Sequence, residues 1–422
     1  MSSVRTTRAL VIGALLASAA PLFAQAPKEL PVKYTGKPTT GEISAADLMT
    51  RLYIFADDSM MGRQVGTKYN LMGTAYIESE VRRLKLQPAG TDGYFQNLPL
   101  FTYFYDSSSS VSAGGEKLVV GTDFLPIARQ ETSLALDNMQ VVYAGASNDS
   151  TSWPAAADLA GKIVVVNIPA PGILVSNAPW LRARVAGAAA VLGVSLDRVP
   201  VNQRSGALRT QTLVRDGMPA PAAPQILVSQ RVAGLLLGSL DSLKGGTMGK
   251  ALTGTLVLRK EQAPGRNVVA ILPGSDPVLR NQYVAIGAHN DHIGFNNRPA
   301  DHDSIRAFNM VARPQGADSP PVQKPSDDQL ARIRAITDSL HALHGVRRDS
   351  INNGADDDGT GTVSVLEIAE AFATAKVKPK RSIIFVWHAG EEKGLWGSAF
   401  FTSHATIPRD SIVAQLNVDM IG

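Results

Sequence analysis

Residues 382–392 of this chain read SIIFVWHAGEE, and this segment indicates the fold class. An almost continuous apolar run, Ser382 to Trp387, leads through His388 and a glycine to Glu391 and Glu392. Runs of this kind are typical of strands that are buried on both faces of a sheet. The segment therefore predicts a central strand that carries two carboxylates to one edge of the sheet.

Similar apolar runs surround this segment and predict neighbouring strands. We expect strands at Asn267–Leu272, Tyr283–Ala288 and Ile412–Val418. Between them, Thr362–Ala375 has apolar residues at helical spacing, and a second helix is expected at Trp396–His404. Residues from about 265 onward thus predict an α/β fold, with a mixed, mostly parallel sheet flanked by helices.

The sequence upstream of residue 265 predicts a different succession of secondary-structure elements. Helices are expected at Ala45–Phe55, with Ser44 as N-cap, and at about Asn70–Leu84. Short strands and turns follow from about residue 118 to 262, which predicts a mostly β module. A long insertion, 296–352, interrupts the α/β part; we expect its first half to be loop-like and a helix at Asp327–Leu343.

Composition restricts the chemistry that is available. The 422 residues include no Cys, which excludes disulfides, Cys-ligated zinc, iron–sulfur clusters and a thiol nucleophile. Of the seven His, the first is His289, so imidazole chemistry is confined to the last third. Any metal must therefore be held by His, Asp and Glu. The net charge of +4 comes without interleaved aromatic and basic residues, which argues against nucleic acid as a partner.

The first residues have the parts of a secretory signal. Arg5 and Arg8 precede an apolar segment, Ala9 to Ala20, that is too short to span a bilayer. We expect residues 1–24 to be a signal peptide, with an uncleaved anchor as the alternative. Because no other segment is long and apolar enough for a membrane helix, we expect an exported protein, periplasmic or extracellular, without stable membrane association.

Four groups of acidic or imidazole residues follow strands or precede a helix. Because the carboxyl ends of parallel strands meet at one edge of an α/β sheet, these groups are expected to lie together. Such a set of nitrogen and oxygen ligands suits Zn²⁺, and less characteristically Mn²⁺ or Co²⁺. It exceeds what one ion needs, which suggests two metals. The groups are His289-Asn290-Asp291-His292, Asp356-Asp357-Asp358, Glu391-Glu392 and Asp419.

Each group has a simpler reading when taken alone. His289 could lie in an ordinary turn, the aspartates could form a solvated N-cap turn, and the glutamates could be surface residues. The remaining histidines favour structural or solvated positions. His292 could line the site but favours a structural role, His388 is expected to be packed, and the others are expected in solvent: His302, His341, His344 and His404.

Taken together, the motifs resemble the M28 family of dizinc peptidases. The matching features are His289-x-Asp291, Gly-Ala-Asp356-Asp357-x-Gly-x-Gly, Glu391-Glu392-x-Gly-Leu-x-Gly-Ser398 and Asp419-Met420-Ile421-Gly422. Upstream, Met61-Gly62-Arg63 and Leu86-Gln87-Pro88-Ala89-Gly90 are similar to members with an inserted protease-associated (PA) domain, and Asp158–Val164 is similar to part of that insert.

The resemblance implies a zinc exopeptidase fold with an inserted β-rich PA domain. Residues 25–130 would form the N-terminal part of the peptidase domain, 131–264 the insert, and 265–422 the catalytic part. The resemblance also implies two Zn²⁺ ions held by His289, Asp357, Glu392 and Asp419, with Asp357 bridging both. Glu391 would be the general base that acts on a metal-bridging water, and Asp291 would orient His289.

The implied function is an aminopeptidase that removes N-terminal residues from peptide substrates. Alternatives are a glutamate-carboxypeptidase-like or glutaminyl-cyclase-like enzyme on the same fold, or a non-catalytic binding protein on a peptidase scaffold. The family's last His ligand has no counterpart after Asp419, so one zinc position would have only Asp357 and Glu392 and would bind weakly. We hypothesise that the chain is an incomplete fragment with weak or no activity.

Overall fold

The computed structural model describes residues 39–421, except 138, 176–177, 214–222, 317–318 and 322–323. The predicted signal peptide, residues 1–24, lies outside this part of the chain. Within it, no helix has the length and apolar character that crossing a membrane would require.

The helices predicted at 45–55, 70–84, 327–343, 362–375 and 396–404 are present, with ends within about two residues of the predicted ones. Ser44 caps the first helix with its side chain, which accepts a hydrogen bond from the Asp47 main-chain N–H at 3.1 Å. The α-helices of the described residues are Ala45–Phe55, Lys68–Arg83, Ala156–Leu159, Pro179–Val185, Val201–Ala207, Gln230–Leu237, His302–Ala312, Asp327–His344, Gly361–Thr374 and Trp396–Ser403.

The four predicted strands of the α/β part form one six-stranded sheet, called the central sheet here, together with two short strands from upstream. The sheet is mixed. Ser382–His388 pairs in parallel with Tyr283–His289, which pairs in parallel with Ile412–Asn417. On its other side Ser382–His388 pairs antiparallel with Arg266–Leu272, which also pairs antiparallel with Gln87–Pro88 and Phe95–Asn97.

Strand Ser382–His388 is buried along its whole length because both faces of the sheet are covered. Phe385 and Trp387 pack on one face with Val365 of helix Gly361–Thr374 and with Ile77 of helix Lys68–Arg83. The alternating residues Ile384 and Val386 pack on the other face with Phe401 of helix Trp396–Ser403. The period-two alternation of a strand thus supplies two apolar layers from one continuous run.

A buried ionic cluster ties the first helix to this core. Arg51 is 1% exposed and forms ion pairs with Glu80, Glu367 and Glu370. Its guanidinium has enough donors to satisfy several carboxylates, which offsets the cost of removing the charges from water. The cluster fixes the helix Ala45–Phe55 against the helix Gly361–Thr374.

Residues 100–263 form two further six-stranded sheets. The upstream antiparallel sheet consists of Leu100–Tyr105, Ser110–Ala113, Glu116–Lys117, Thr132–Ala135, Arg209–Leu213 and Leu252–Ala263. The upstream mixed sheet consists of Phe124–Pro126, Val141–Ala146, Ile163–Asn167, Ala190–Val194, Gln225–Val228 and Met248–Gly249. The strands from Leu100 to Pro126 thus belong to these sheets, while Gln87–Pro88 and Phe95–Asn97 belong to the central sheet. The predicted domain boundaries and the PA character of the region stay predictions.

The first half of the insertion differs from the prediction. Residues 302–312, expected to be loop-like, form the helix His302–Ala312, so that prediction was wrong for this segment. Asp301 caps it by accepting hydrogen bonds from the main-chain N–H groups of Asp303 and Ser304, and it ends just before Arg313-Pro314. The helix and its partner Asp327–His344 are carried on a two-stranded ribbon of Gly294–Asp301 and Arg348–Asn352.

Candidate metal centre

The central sheet brings the predicted residues to one edge. His289 ends its strand opposite His388 in the neighbouring parallel strand, and the strand that precedes Asp419 lies on the other side. All three strands run in the same direction, so the residues that follow them meet. Asp358 and Thr362, at the start of helix Gly361–Thr374, form hydrogen bonds with the main chain of His289 and so bring the aspartates to the same edge.

The three adjacent aspartates point to different surroundings, which relieves their mutual repulsion. Asp358 is 1% exposed and accepts hydrogen bonds from the main-chain N–H groups of His289 (3.0 Å), Gly361 (2.9 Å) and Met420 (3.2 Å). Burial raises the pKa of Asp358 to about 7, against the effect of His289 and these hydrogen bonds. Asp358 thereby joins the strand end, the helix start and the segment around Asp419.

His289, Asp357 and Asp419 form the first candidate metal position. His289 Nε2 lies 3.1 Å from Asp357 Oδ1 and 3.7 Å from Asp419 Oδ1, and ligand atoms of the three residues lie within 4.8 Å of one another. Burial by itself lowers the pKa of His289, but Asp291, Asp358 and Asp419 outweigh it and raise the pKa to about 9. The surroundings thus favour a positive charge at this imidazole, which a proton or a metal ion can supply.

His292, Asp357 and Glu392 form the second candidate position, again with ligand atoms within 4.8 Å of one another. His292 Nδ1 lies 2.6 Å from Glu392 Oε1 and 3.9 Å from Asp357 Oδ2. Apart from this ion-pair contact with each other, neither the His292 nor the Glu392 atom has a hydrogen-bond partner, although both atoms are buried. Two buried polar atoms that converge without a hydrogen bond fit a shared cation, so the donor set suits Zn²⁺.

His292 was not among the metal ligands predicted from the sequence. The expectation that Asp357 and Glu392 stand alone at this position does not hold in the structure, because His292 lies beside both. The signal was present in the sequence, since His292 is the residue directly after Asp291 in the turn that follows the strand. Its direction could not be read from spacing, because that segment is neither helix nor strand.

Asp291 links the imidazole to the glutamate loop. Its Oδ1 accepts hydrogen bonds from the main-chain N–H groups of Gly390 (2.7 Å) and Glu391 (3.0 Å), and lies 3.6 Å from His289 Nδ1. His289 Nδ1 is closer, at 3.1 Å, to the main-chain oxygen of Asp291. The carboxylate therefore holds the backbone of Glu391, and the backbone of Asp291 faces the ring. The predicted orienting role stays a prediction.

The two glutamates diverge because the chain turns sharply at Gly390, which has φ 75°. A Cβ at Gly390 would lie 3.1 Å from the Trp396 Cβ, so the left-handed turn favours glycine there. Glu392 then lies beside His292, and Glu391 lines a separate pocket. Burial raises the pKa of Glu391; the charge of His289 opposes this, and the nearby carboxylates of Glu392, Asp291 and Asp419 add to it.

The pocket at the first position has a volume of about 210 Å³ and an acidic character. None of the described residues that line it is Lys or Arg. They are His289, His388, Glu391, Leu395, Ser398, Gln415, Asn417 and Asp419. His388 adds no positive charge, because burial and the neighbouring His289 lower its pKa to about 4.

Arg63 supports the loop that carries the aspartates. Its side chain is fully buried, stacks 4.3 Å from the centre of the Phe55 ring, and donates to the main-chain oxygens of Asn353 (2.6 Å) and Gly354 (2.7 Å). Burial lowers the pKa of Arg63 to about 10, and the nearby aspartates oppose this shift. Preceding it, Gly62 has φ 67°, and a Cβ there would lie 2.3 Å from the Asn352 oxygen.

Comparison with known proteins points to one family for this part of the chain. Residues 267–422 match the model of Peptidase family M28. Curated relatives include leucine aminopeptidase 1 of Aspergillus fumigatus, 37% identical over 106 residues, which cover 22% of this chain and 27% of that protein. Leucine aminopeptidase 1 of Trichoderma harzianum is 36% identical over 112 residues, covering 23% and 28%. The chain thus spans only about a quarter of these curated relatives.

Solved structures to which this chain is similar include an aminopeptidase from Aneurinibacillus sp. strain AM-1, at 17% identity and a TM-score of 0.46, covering 90% of this chain and 71% of that one. A zinc aminopeptidase from Bacillus subtilis has 17% identity and a TM-score of 0.42, covering 94% and 71%. The range that the family model matches contains His289, Asp357, Glu391, Glu392 and Asp419. Residues 267–422 of this chain are thus similar in sequence to peptidase family M28.

Proposed function

We propose that this protein is an exported dizinc aminopeptidase that removes N-terminal residues from peptides. The observation that carries the proposal is the position of Asp357. Its carboxylate belongs to both candidate metal groups, one with His289 and Asp419 and one with His292 and Glu392. A carboxylate offers two oxygens, so one side chain can serve two ions, as a bridging ligand does.

The residues divide into metal-holding and proton-moving sets. His289 and Asp419 would hold one zinc, His292 and Glu392 the other, with Asp357 between them. Zinc, when bound, supplies polarisation of the scissile carbonyl and acidification of the attacking water. The protein's own task is then to move a proton and to place the peptide.

Glu391 is the residue placed to move that proton. It lies in the pocket with His289 and Asp419 but in neither ligand group. Its raised pKa makes it a better proton acceptor than an ordinary surface glutamate. Glu391 accepts the proton of the attacking water and returns it to the leaving amine. Asp291 holds the backbone at Glu391 in place through two hydrogen bonds.

The charge of the pocket favours the free amino end of a peptide over its carboxyl end. Glu391 and Asp419 attract an α-ammonium group, and no lysine or arginine lines the described pocket to neutralise a carboxylate. This observation supports aminopeptidase over carboxypeptidase activity. It agrees with the leucine aminopeptidase names of the curated relatives.

Export and domain organisation form part of the proposal. Arg5, Arg8 and the apolar segment after them support a signal peptide over residues 1–24. The β-rich region up to residue 264 would be a PA-type insert without a site of its own. Expression with and without residues 1–24, followed by fractionation and N-terminal sequencing, tests export; retention of the leader in a cell-bound protein would contradict it.

The activity is tested with Glu391→Gln. Because the variant keeps the shape but cannot accept a proton, we expect hydrolysis of an aminoacyl substrate to fall about 10²–10⁴-fold, while zinc content stays that of the unmodified protein. The matched control is Lys393→Gln, two residues along the same turn and outside both metal groups. Substantial residual hydrolysis in Glu391→Gln would refute the assignment.

The alternatives give different outcomes in the same assay. Hydrolysis of substrates with a blocked amino end and a free carboxyl end would favour the glutamate-carboxypeptidase-like enzyme. Cyclisation of N-terminal glutamine would favour the glutaminyl-cyclase-like enzyme. Zinc binding with no turnover of any of these would favour the non-catalytic binding protein.

A further inference from the structure

The insertion lacks an apolar core. Among its described residues from 296 to 352, the buried ones are Asp303 and Ala307. Its larger apolar side chains face outward: Met310 is 56% exposed and Leu343 is 77% exposed. Small elements that bury little apolar surface usually need another source of stability, such as a disulfide or a metal ion. The chain has no Cys, which excludes the first.

The most deeply buried polar group of the insertion is the Asp303 carboxylate, which is 1% exposed. Its Oδ1 accepts a hydrogen bond from Arg347 Nη2 at 3.2 Å. Its Oδ2 is also buried but has no hydrogen-bond partner, and the nearest base is His344 Nδ1 at 3.6 Å. A buried carboxylate oxygen without a partner is costly, and it therefore indicates a missing cation or donor.

Two further ligand groups converge on this carboxylate. His341, from the last turn of helix Asp327–His344, places Nε2 3.1 Å from Asp301 Oδ2. Ligand atoms of Asp301, Asp303 and His341 lie within 4.8 Å of one another. The two aspartates flank the start of helix His302–Ala312, so the group joins the end of one helix to the beginning of the other.

We propose that Asp301, Asp303 and His341 bind a divalent cation of the Zn²⁺ class, separate from the peptidase centre. Two carboxylates and an imidazole are ligands that Zn²⁺ accepts, and His344 is the nearest candidate for a fourth. Arg347 pairs with Asp303 Oδ1, and the ion supplies the partner that Asp303 Oδ2 lacks; it also fixes the two helices to each other. Its role is structural: it holds the insertion in one arrangement beside the site.

The test uses Zn²⁺ alone as the probe and the full chain carrying Asp357→Asn, which removes the shared ligand of the peptidase centre. Bound zinc is measured by metal analysis after equilibrium dialysis. We expect this chain to retain one equivalent, and to lose it when Asp303→Asn or His341→Gln is added. The matched control is His302→Gln, because His302 is an exposed histidine of the same insertion that lies outside the group.

A second measurement keeps the test independent of the Asp357 background. In the otherwise unmodified chain, Asp303→Asn should hold one zinc equivalent less than His302→Gln, and zinc should no longer protect residues 302–344 from limited proteolysis. Equal zinc contents in the two variants would overturn the proposal and leave only a His341–Asp301 ion pair. This result is separate from the proposed peptidase function, because peptide hydrolysis is not the readout.

Discussion

The central sheet and the upstream mixed sheet are built alike but end differently. Both contain parallel, apolar, buried strands, such as Tyr283–His289 and Ala190–Val194. In the upstream sheet the residues after the strands are used for structure: Ser195 donates to the Ile173 carbonyl at 2.6 Å, and Ser229 caps helix Gln230–Leu237. In the central sheet the equivalent edge carries His289, Glu391 and Asp419. The two sheets thus share the arrangement of their buried parallel strands. They differ in the residue types at the strand ends, which are structural in the upstream mixed sheet and form the candidate site in the central sheet.

Among variants that test this difference between the two sheets, Asp357→Ala is expected to have the largest effect on zinc binding and hydrolysis. The variant removes a ligand from both metal groups of the peptidase centre at once, so we expect the zinc of that centre to be lost and hydrolysis to fall at least roughly 10³-fold, since several kcal/mol of charge stabilisation depend on the metals. Zinc content and kcat are the measurements. Asp356→Ala, next in sequence but outside both groups, is the control; full zinc content in Asp357→Ala would show that the groups do not share it.

His292→Ala should weaken only the second metal position. Loss of one of three ligands is expected to lower zinc affinity there roughly 100-fold or more, the upper end of what supporting residues alone contribute. Titration with Co²⁺ in the Asp303→Asn background, followed by absorption, separates the two equivalents of the peptidase centre. We expect the tighter equivalent, assigned to His289 and Asp419, to stay unchanged. Equal affinities in the variant and the unmodified chain would remove His292 from the site.

His388→Asn tests whether the buried histidine of strand Ser382–His388 makes the stability of the protein depend on pH. In the folded protein the pKa of His388 is about 4, below the value of 6.5 for an unperturbed His, so the unfolded chain takes up its proton first as the pH falls. The free energy of unfolding should therefore drop between pH 6.5 and 4, by about 3 kcal/mol from this residue. Urea unfolding at neutral and acid pH, with chelator, should show that drop reduced in the variant. An unchanged drop would contradict the assignment.

The smallest effect is expected at the upstream sheet. Asp197 Oδ2 accepts a hydrogen bond from the Gln230 main-chain N–H at 2.7 Å, at the start of helix Gln230–Leu237. Asp197→Ala should lower the free energy of unfolding by about 1 kcal/mol, because one of the first N–H groups of the helix loses its side-chain acceptor while the Ser229 cap remains. Thermal unfolding measures this, while kcat and zinc content should match the unmodified chain. A loss of turnover would mean that this sheet contributes to the site after all.

Prediction from sequence was most accurate where the physical signal is local. Ser44 and the helix Ala45–Phe55 were placed correctly because an N-cap and apolar spacing are read within a few residues. The strands of the central sheet were placed correctly because continuous apolar runs need burial on both faces. The helix His302–Ala312 was missed because nearby prolines suggested a loop, whereas Asp301 starts a helix that ends before them.

The chemistry of the site was also readable in part. The chain has no Cys and its first His is His289, so its metal ligands must be imidazoles and carboxylates. The residues expected at the site follow strands or precede a helix: His289, Asp357, Glu391, Glu392 and Asp419. Which residues share an ion depends on side-chain directions at chain turns. Only the structure shows that His292 lies beside Glu392 and that Asp358 accepts a hydrogen bond from the main chain of His289. It also shows that Arg63 donates to the main chain of the loop that carries the aspartates.

Local sequence thus specified the elements, the order of the motifs and the ligand types, because hydrophobic periodicity and residue chemistry act over short distances. Tertiary structure decided the pairing of strands, the division of the aspartates into a buried support and a shared ligand, and the convergence of Asp301, Asp303 and His341. These features join residues far apart in the chain, and their geometry depends on which groups are withdrawn from water together.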